Sequence, residues 1–255
     1  MHIKRQSGLF NNSSIVCILG IKITNASMDE AIKMMAQLIV QESICPHSIF
    51  IVNAHTLNLA TENPEYWNLL NSATLVFGDG TGVCWAAKLR GTTMKSNLVG
   101  TDLIPNFFQA TSNRGYRYFL LGATATTISR AVQATSEKFP GWEMVGFHHG
   151  YFGEDETANV IEKINFTQPH VLLVAMGNPK QENWIHANQS KLQVPLCIGV
   201  GGLFDHWAGN LNRAPLWVRQ LGFEWLQILL QQPHKWQRYI IGNPKYLFRI
   251  LHVGN

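Results

Sequence analysis

The chain has 255 residues, 46% of them hydrophobic and 14% charged, with 8 Trp and 13 Phe; this excludes a disordered polymer and supports one large globular body with a sizeable core. No run of about 18 apolar residues occurs, which excludes a helix spanning a bilayer. The net charge of +4 is uneven: residues 213–255 hold six cations and one acid, whereas residues 1–212 hold 14 basic and 15 acidic side chains.

Lys4 and Arg5 precede a short apolar stretch, a weak imitation of a signal peptide. Lys22 interrupts it and no small-x-small cleavage site follows, so the reading is a loose N-terminus leading into a strand. "ILGIKITN" reads as a strand or hairpin. Ser27 and Glu30 fit a capping box for a helix running to about Glu42. "SIFIVNA" is a short apolar strand ending at Asn53. "ATLVFGD" is another, ending at Asp79, with a helical stretch after it. "YRYFLLG" ends at Gly122 and precedes the helix "TATTISRAVQATSEKF". "WEMVGF" is a strand, and Asp155 is the expected N-cap of a helix to about Asn165. "HVLLVAM" and "PLCIGV" are strands flanking a helix from about Gln181 to Lys191.

Strands that are apolar throughout, alternating with helices, predict an α/β fold: a Rossmann-like, mostly parallel sheet covered on both faces. The four cysteines form no CxxC, and three sit in apolar runs. They are expected to be buried free thiols in a reducing compartment.

Ligands of such sheets bind beyond the carboxyl ends of the strands. There the sequence gathers Asn53, Asp79, Gly122, Gly177, Asn178, Gln181, Gly201 and Asp205. In "GDGTG", Asp79 lies between glycines and reads either as a general base or as a helix cap. In "GNPKQENW", Gln181 and Glu182 after Pro179 read as helix-start chemistry, or Asn178 and Gln181 read as amides that recognise a hydroxylated or base-like ligand. "GVGGLFD" lets backbone approach a phosphate or sugar. Its third Gly falls at 202 rather than 204, and no acid follows at the right distance, which argues against NAD. His148 and His149 are neighbours on a turn and a poor metal pair. No D-x-D occurs, so no metal is expected.

The tail is the most unusual segment. Val218, Leu221, Trp225 and Leu229 recur at helical spacing, Leu226 and Leu230 widen that face, and aromatics interleave with Arg213, Arg219, Lys235, Arg238, Lys245 and Arg249. It reads as a basic aromatic helical appendage over 213–255 on a body of 1–212, lying on an anionic membrane surface. A helix pair packed on the body is the rival reading. Nucleic acid is not expected as a partner, because the body is neutral and no recognised module appears. A homo-oligomer is left open.

The order of "NA" at Asn53–Ala54, "ATLVFGDGTGV", "VGTDL", "FLLGAT", "GNPKQENW", "IGVGGLFDHWAGNLNRAPLW" and "EWL…QP…RY" resembles the WecG/TagA/CpsF family of bacterial glycosyltransferases. That family includes the N-acetylmannosaminyltransferases of teichoic acid and enterobacterial common antigen synthesis. The resemblance implies transfer of a sugar from a UDP-sugar to a polyprenyl-diphosphate-linked saccharide, inverting and without a metal or other cofactor. It also implies a cytoplasmic enzyme, peripheral on the inner face of the cell membrane. Asp79 would be the base. Asn53 would orient a sugar. Gly122, Gly177, Asn178, Gln181, Gly201 and Asp205 would line the donor pocket, and Arg213 and Arg238 would meet phosphates. Four positions depart from the family pattern. Ile51 stands where a Thr is usual, Asn97 lies near a usual Arg, Ile228 replaces an Arg, and Gln232 replaces an acid. A hexosyltransferase for capsule or exopolysaccharide, or a non-catalytic UDP-sugar-binding protein at the membrane, are the alternatives.

Overall fold

Period-two alternation decides where each strand residue goes, because successive side chains point to opposite faces of a sheet. In β3 (His47–Val52), Ile49 and Ile51 face one core while Phe50 and Val52 face the other. The same split recurs in β4 (Leu75–Gly78), β5 (Arg117–Gly122), β7 (Val171–Ala175) and β8 (Leu196–Gly199). Both sets are apolar, so both faces must be covered. The computed structural model, which describes residues 14–252, shows how. Six strands, with β6 (Glu143–His148) as one edge, form a sheet in the order β4-β3-β8-β7-β5-β6, and all five pairings are parallel.

One face is covered by α2 (Ala54–Glu62), α3 (Pro64–Ser72), α4 (Thr81–Leu89), α7 (Thr157–Thr167) and α8 (Lys180–Asn188). The other is covered by α1 (Met28–Val40), α5 (Gly100–Ala110), α6 (Ala125–Lys138) and the short α9 (Leu203–Trp207). The expected α/β class and sheet direction are therefore those of the protein. The capping box also forms: Ser27 Oγ accepts from the Glu30 amide at 3.2 Å, and Glu30 Oε2 accepts from the Ser27 amide at 2.8 Å. The Lys4–Arg5 segment lies outside the described residues.

The first strand is a hairpin, β1 (Ser14–Ile18) with β2 (Ile21–Asn25), antiparallel and separate from the main sheet. Its two-residue turn puts Leu19 and Gly20 at φ 50° and 77°, the geometry that fits a right-twisted hairpin. Val16 and Ile18 point into the core, so Cys17 between them faces solvent. All four cysteines are free, but only Cys197 is buried, which corrects the expectation for the others. Asp155 does not cap α7. That helix begins after Glu156, with no side-chain cap bond.

The tail is not one amphipathic helix. It breaks into α10 (Leu216–Gln220), α11 (Glu224–Gln231), a 3-10 turn (Pro233–Lys235), a π-helical turn (Gln237–Ile241) and α12 (Gly242–His252). Gly222, at φ 81°, separates Val218 and Leu221 from Trp225 and Leu229. The last helix docks on α2. Tyr246 and Ile250 are buried, Asn58 Nδ2 donates to Gly242 O at 2.8 Å, and Arg249 Nη1 donates to Asn58 Oδ1 at 2.9 Å.

Gly122 closes β5 at φ 138°, and a Cβ there would lie 2.2 Å from Ala175 O. Gly122→Ala is therefore expected to destabilise the fold by roughly 2–4 kcal/mol, because overpacking against backbone and an unfavourable φ act together. A urea titration checks this.

Candidate active site

The strand β3 leads into α2 on one face, whereas its neighbour β8 leads into α9 on the other. Adjacent strands whose exits diverge open a crevice at their carboxyl ends. A cavity of about 430 Å³ lies there, within the range of small-molecule sites. Of the residues singled out in the sequence, Asn53, Asp79, Asn178, Gln181, Gly201 and Arg238 line it. Gly122, Gly177, Asp205 and Arg213 do not. Gly122 is fixed by its packing on Ala175. Arg213 is taken up by ion pairs, a short one with Asp102 and one with Glu224 at 3.2 Å. Asp205 accepts from Asn210 Nδ2 at 3.2 Å, which ties α9 to α6 through Thr127.

Local geometry explains the two residues nearest the switch. Asn53 caps α2, its Oδ1 accepting from the His55 and Thr56 amides at 3.1 and 3.2 Å. That leaves its NH2 group without a partner among the described residues. The Asp79 amide donates to Val52 O at 2.8 Å, which holds the end of β4 beside the end of β3. Gly80, not Asp79, is the cap of α4. The Gly80 amide donates to Asn97 Oδ1 at 2.7 Å. The Asp79 carboxyl is thus spared from capping and stands in the wall, half-buried.

Burial raises the Asp79 pKa to about 7. Glu224 adds to the rise, and Arg238 and Arg213 oppose it. A carboxylate near neutrality is matched to proton abstraction. His55, also in the wall, is held down at about 4 by burial and by Arg238, so it is a neutral imidazole. Burial also lowers the pKa of Lys235, with Arg238 adding to the effect. Arg238 itself has a buried Nε with no hydrogen-bond partner among the described residues, and its guanidinium lies 5.3 Å from the Tyr239 ring centroid. Among the described residues, no group of three His, Cys, Asp or Glu side chains is placed to hold a metal ion.

Sequence reading missed much of the wall. His55, Glu224 and Lys235 all line the cavity, and the tail supplies two of them. The four departures from the family pattern, Ile51, Asn97, Ile228 and Gln232, line it too.

The fold is α/β with a cavity at the switch point of its sheet, and comparison with known proteins makes the class definite. Residues 16–254 match the model of the Glycosyl transferase WecG/TagA/CpsF family, and the chain belongs to that family. Among its relatives is the N-acetylglucosaminyldiphosphoundecaprenol N-acetyl-beta-D-mannosaminyltransferase of Bacillus spizizenii. It is 33% identical over 192 residues, which is 75% of this chain and 74% of that protein. The Bacillus subtilis protein of the same name is 31% identical over 203 residues, covering 80% and 78%. The Staphylococcus aureus protein of that name is 31% identical over 247 residues, covering 94% and 93%.

Proposed function

We propose that the chain transfers a sugar from a UDP-sugar to a hydroxyl of a polyprenyl-diphosphate-linked N-acetylglucosamine, with inversion at the anomeric carbon. The acceptor follows the names of the relatives, which are N-acetylmannosaminyltransferases acting on N-acetylglucosaminyldiphosphoundecaprenol. The observation that carries the reading is the Asp79 carboxyl, raised to about 7 at the switch-point cavity and facing the cations of the tail. In the reaction, Asp79 takes the proton of the acceptor hydroxyl. The freed oxygen forms a bond to the anomeric carbon as the bond to the diphosphate breaks, and UDP leaves with the electron pair. Arg238 and Lys235 meet the charge that develops on the diphosphate, protein cations serving where other transferases use a metal. Asn53 offers its amide NH2 to a sugar oxygen.

A second reading keeps the chemistry and changes the donor. Because Ile51, Asn97, Ile228 and Gln232 all face the cavity, they bear on sugar choice, and a hexose for capsule or exopolysaccharide is the alternative. A radiolabel transfer assay with several UDP-sugars and a synthetic prenyl-diphosphate-N-acetylglucosamine decides. Label should move from UDP-N-acetylmannosamine. Transfer from UDP-glucose alone would favour the second reading, and no transfer from any donor would leave only a binding protein.

We place the appendage at a membrane surface. Twelve of the twenty large apolar side chains exposed among the described residues fall between Leu216 and Leu251, a concentration typical of an interaction surface. Charge contributes less than the sequence suggested. Arg213 and Arg219 pair with Asp102, and Lys245 and Arg249 pair with Glu62. Among the described residues no helix is long and apolar enough to cross a membrane. Replacing Leu216, Trp217 and Leu221 together with Ser should lower liposome partitioning at least about thirtyfold, since each buried side chain contributes about 1.5–3 kcal/mol and shallow insertion recovers roughly half. Equal flotation of variant and wild type would remove the membrane role of this face.

A further inference from the structure

Glu182 has no role in the transfer step above, yet its carboxyl is fully buried behind the cavity wall. Among the described residues, no Lys or Arg lies within ion-pair distance of it. It is satisfied by neutral donors alone. Tyr66 Oη donates to Oε2 at 3.1 Å, and Asn178 Nδ2 and Gln181 Nε2 donate to Oε1 at 2.6 and 2.7 Å. Gln181 passes the arrangement on: its Oε1 accepts from the Gly201 amide at 3.0 Å, within the glycine-rich loop of the wall. Gln181 Nε2 also fills the space where a Cβ on Gly199 would lie, at 2.9 Å.

The chemistry of the hub fixes the polarity of its neighbours. An ionised carboxylate only accepts hydrogen bonds, whereas an amide has one donating and one accepting end. Both amides must therefore turn their nitrogens toward Glu182 and their oxygens away. The Gln181 oxygen is used on Gly201. The Asn178 oxygen has no partner among the described residues, and Asn178 lines the cavity.

We propose that Glu182 is a positioning residue that sets the hydrogen-bond polarity of the donor site, holding Asn178 so that its oxygen accepts from a hydroxyl or N–H group of the bound nucleotide sugar. The inference rests on the UDP-sugar reading given above. The buried carboxyl has a pKa raised by burial to about 7, so its accepting form is the one present well above that pH, where the test is run.

Glu182→Leu removes both accepting oxygens, so nothing then holds the Asn178 nitrogen away from the ligand. UDP-sugar binding, measured by calorimetry with no acceptor present, should weaken about tenfold or more. The donor KM should rise in step while kcat changes far less, the signature of lost ground-state binding. Glu182→Gln is the conservative rescue. Asn178 and Gln181 both donate to Oε1 and only Tyr66 meets Oε2, so the new amide keeps its oxygen on the two side-chain amides and turns its NH2 to the Tyr66 hydroxyl, which can accept; most of the affinity should remain. Wild-type affinity in Glu182→Leu, or a loss in Glu182→Gln as large as in Glu182→Leu, would overturn the proposal. If Glu182→Leu fails to fold, Asn178→Ala decides: it should show the tenfold loss, and unchanged binding would overturn the proposal. Wild-type protein that binds no UDP-sugar would instead sink the donor reading, and this proposal with it.

Discussion

Asp79→Asn should lower sugar transfer by about 10²–10⁴-fold, the usual contribution of a positioned general base, while leaving UDP-sugar affinity nearly intact. The same substitution should make the protein more stable at alkaline pH. In the wild type the carboxyl moves from its ordinary 3.8 to about 7 on folding. A raised pKa means that the native state binds the proton more tightly than the unfolded chain. Wild-type stability therefore falls as pH rises from about 4 through 7 and stays lower above that window. Asp79→Asn removes this fall. A variant that is less active and, above pH 7, harder to denature with urea is the expected result. Near wild-type turnover would show that Asp79 is not the base.

Arg238→Ala should cost roughly 10²–10³-fold in transfer, the size seen when one preorganised donor to a developing negative charge is lost. Arg238 lines the cavity with a buried Nε that has no hydrogen-bond partner, and it forms no ion pair within salt-bridge distance, among the described residues. In the proposed reaction a diphosphate is its counter-ion, and the planar guanidinium can hold two diphosphate oxygens at once. Arg238→Lys should therefore recover only part of the rate. Arg238 also favours the ionised form of Asp79, so Arg238→Ala should move the pH dependence of transfer upward. Steady-state kinetics across pH, with UDP as a product inhibitor, measures both effects. An unchanged profile with an unchanged rate would remove Arg238 from the site.

How far the site can be read from sequence depends on how local each signal is. Strands β3, β5, β7 and β8 were legible because their residues are apolar without interruption, and Ser27 with Glu30 announced α1. Helices α2 and α3 were missed although Asn63, Pro64 and Glu65 form a helix start, with Asn63 Oδ1 accepting from the Tyr66 amide at 3.0 Å. Helix α5 was hidden by Pro105 within it. The order of the strands is not local, and it decides the site: only because β8 inserts beside β3 do Gly201 and Asn53 share a cavity. The carboxyl ends of the other strands looked equivalent in the sequence, so Gly122 was grouped with the pocket although it packs on Ala175. Arg213 was assigned to phosphates because its partner Asp102 lies 111 positions away. The Glu182 hub was out of reach for the same reason, since Tyr66 comes to it from α3. Gly222 was visible in the tail, and its break of the helical face could have been read.

The most direct test of the chemistry is the pH dependence of single-turnover transfer by the wild type at saturating donor and acceptor. The rate should climb about tenfold per pH unit on the acid side and level off near pH 7, as the Asp79 carboxyl loses its proton. A rate that is flat through this range, or a climb that persists unchanged in Asp79→Asn, would contradict proton abstraction by this carboxylate.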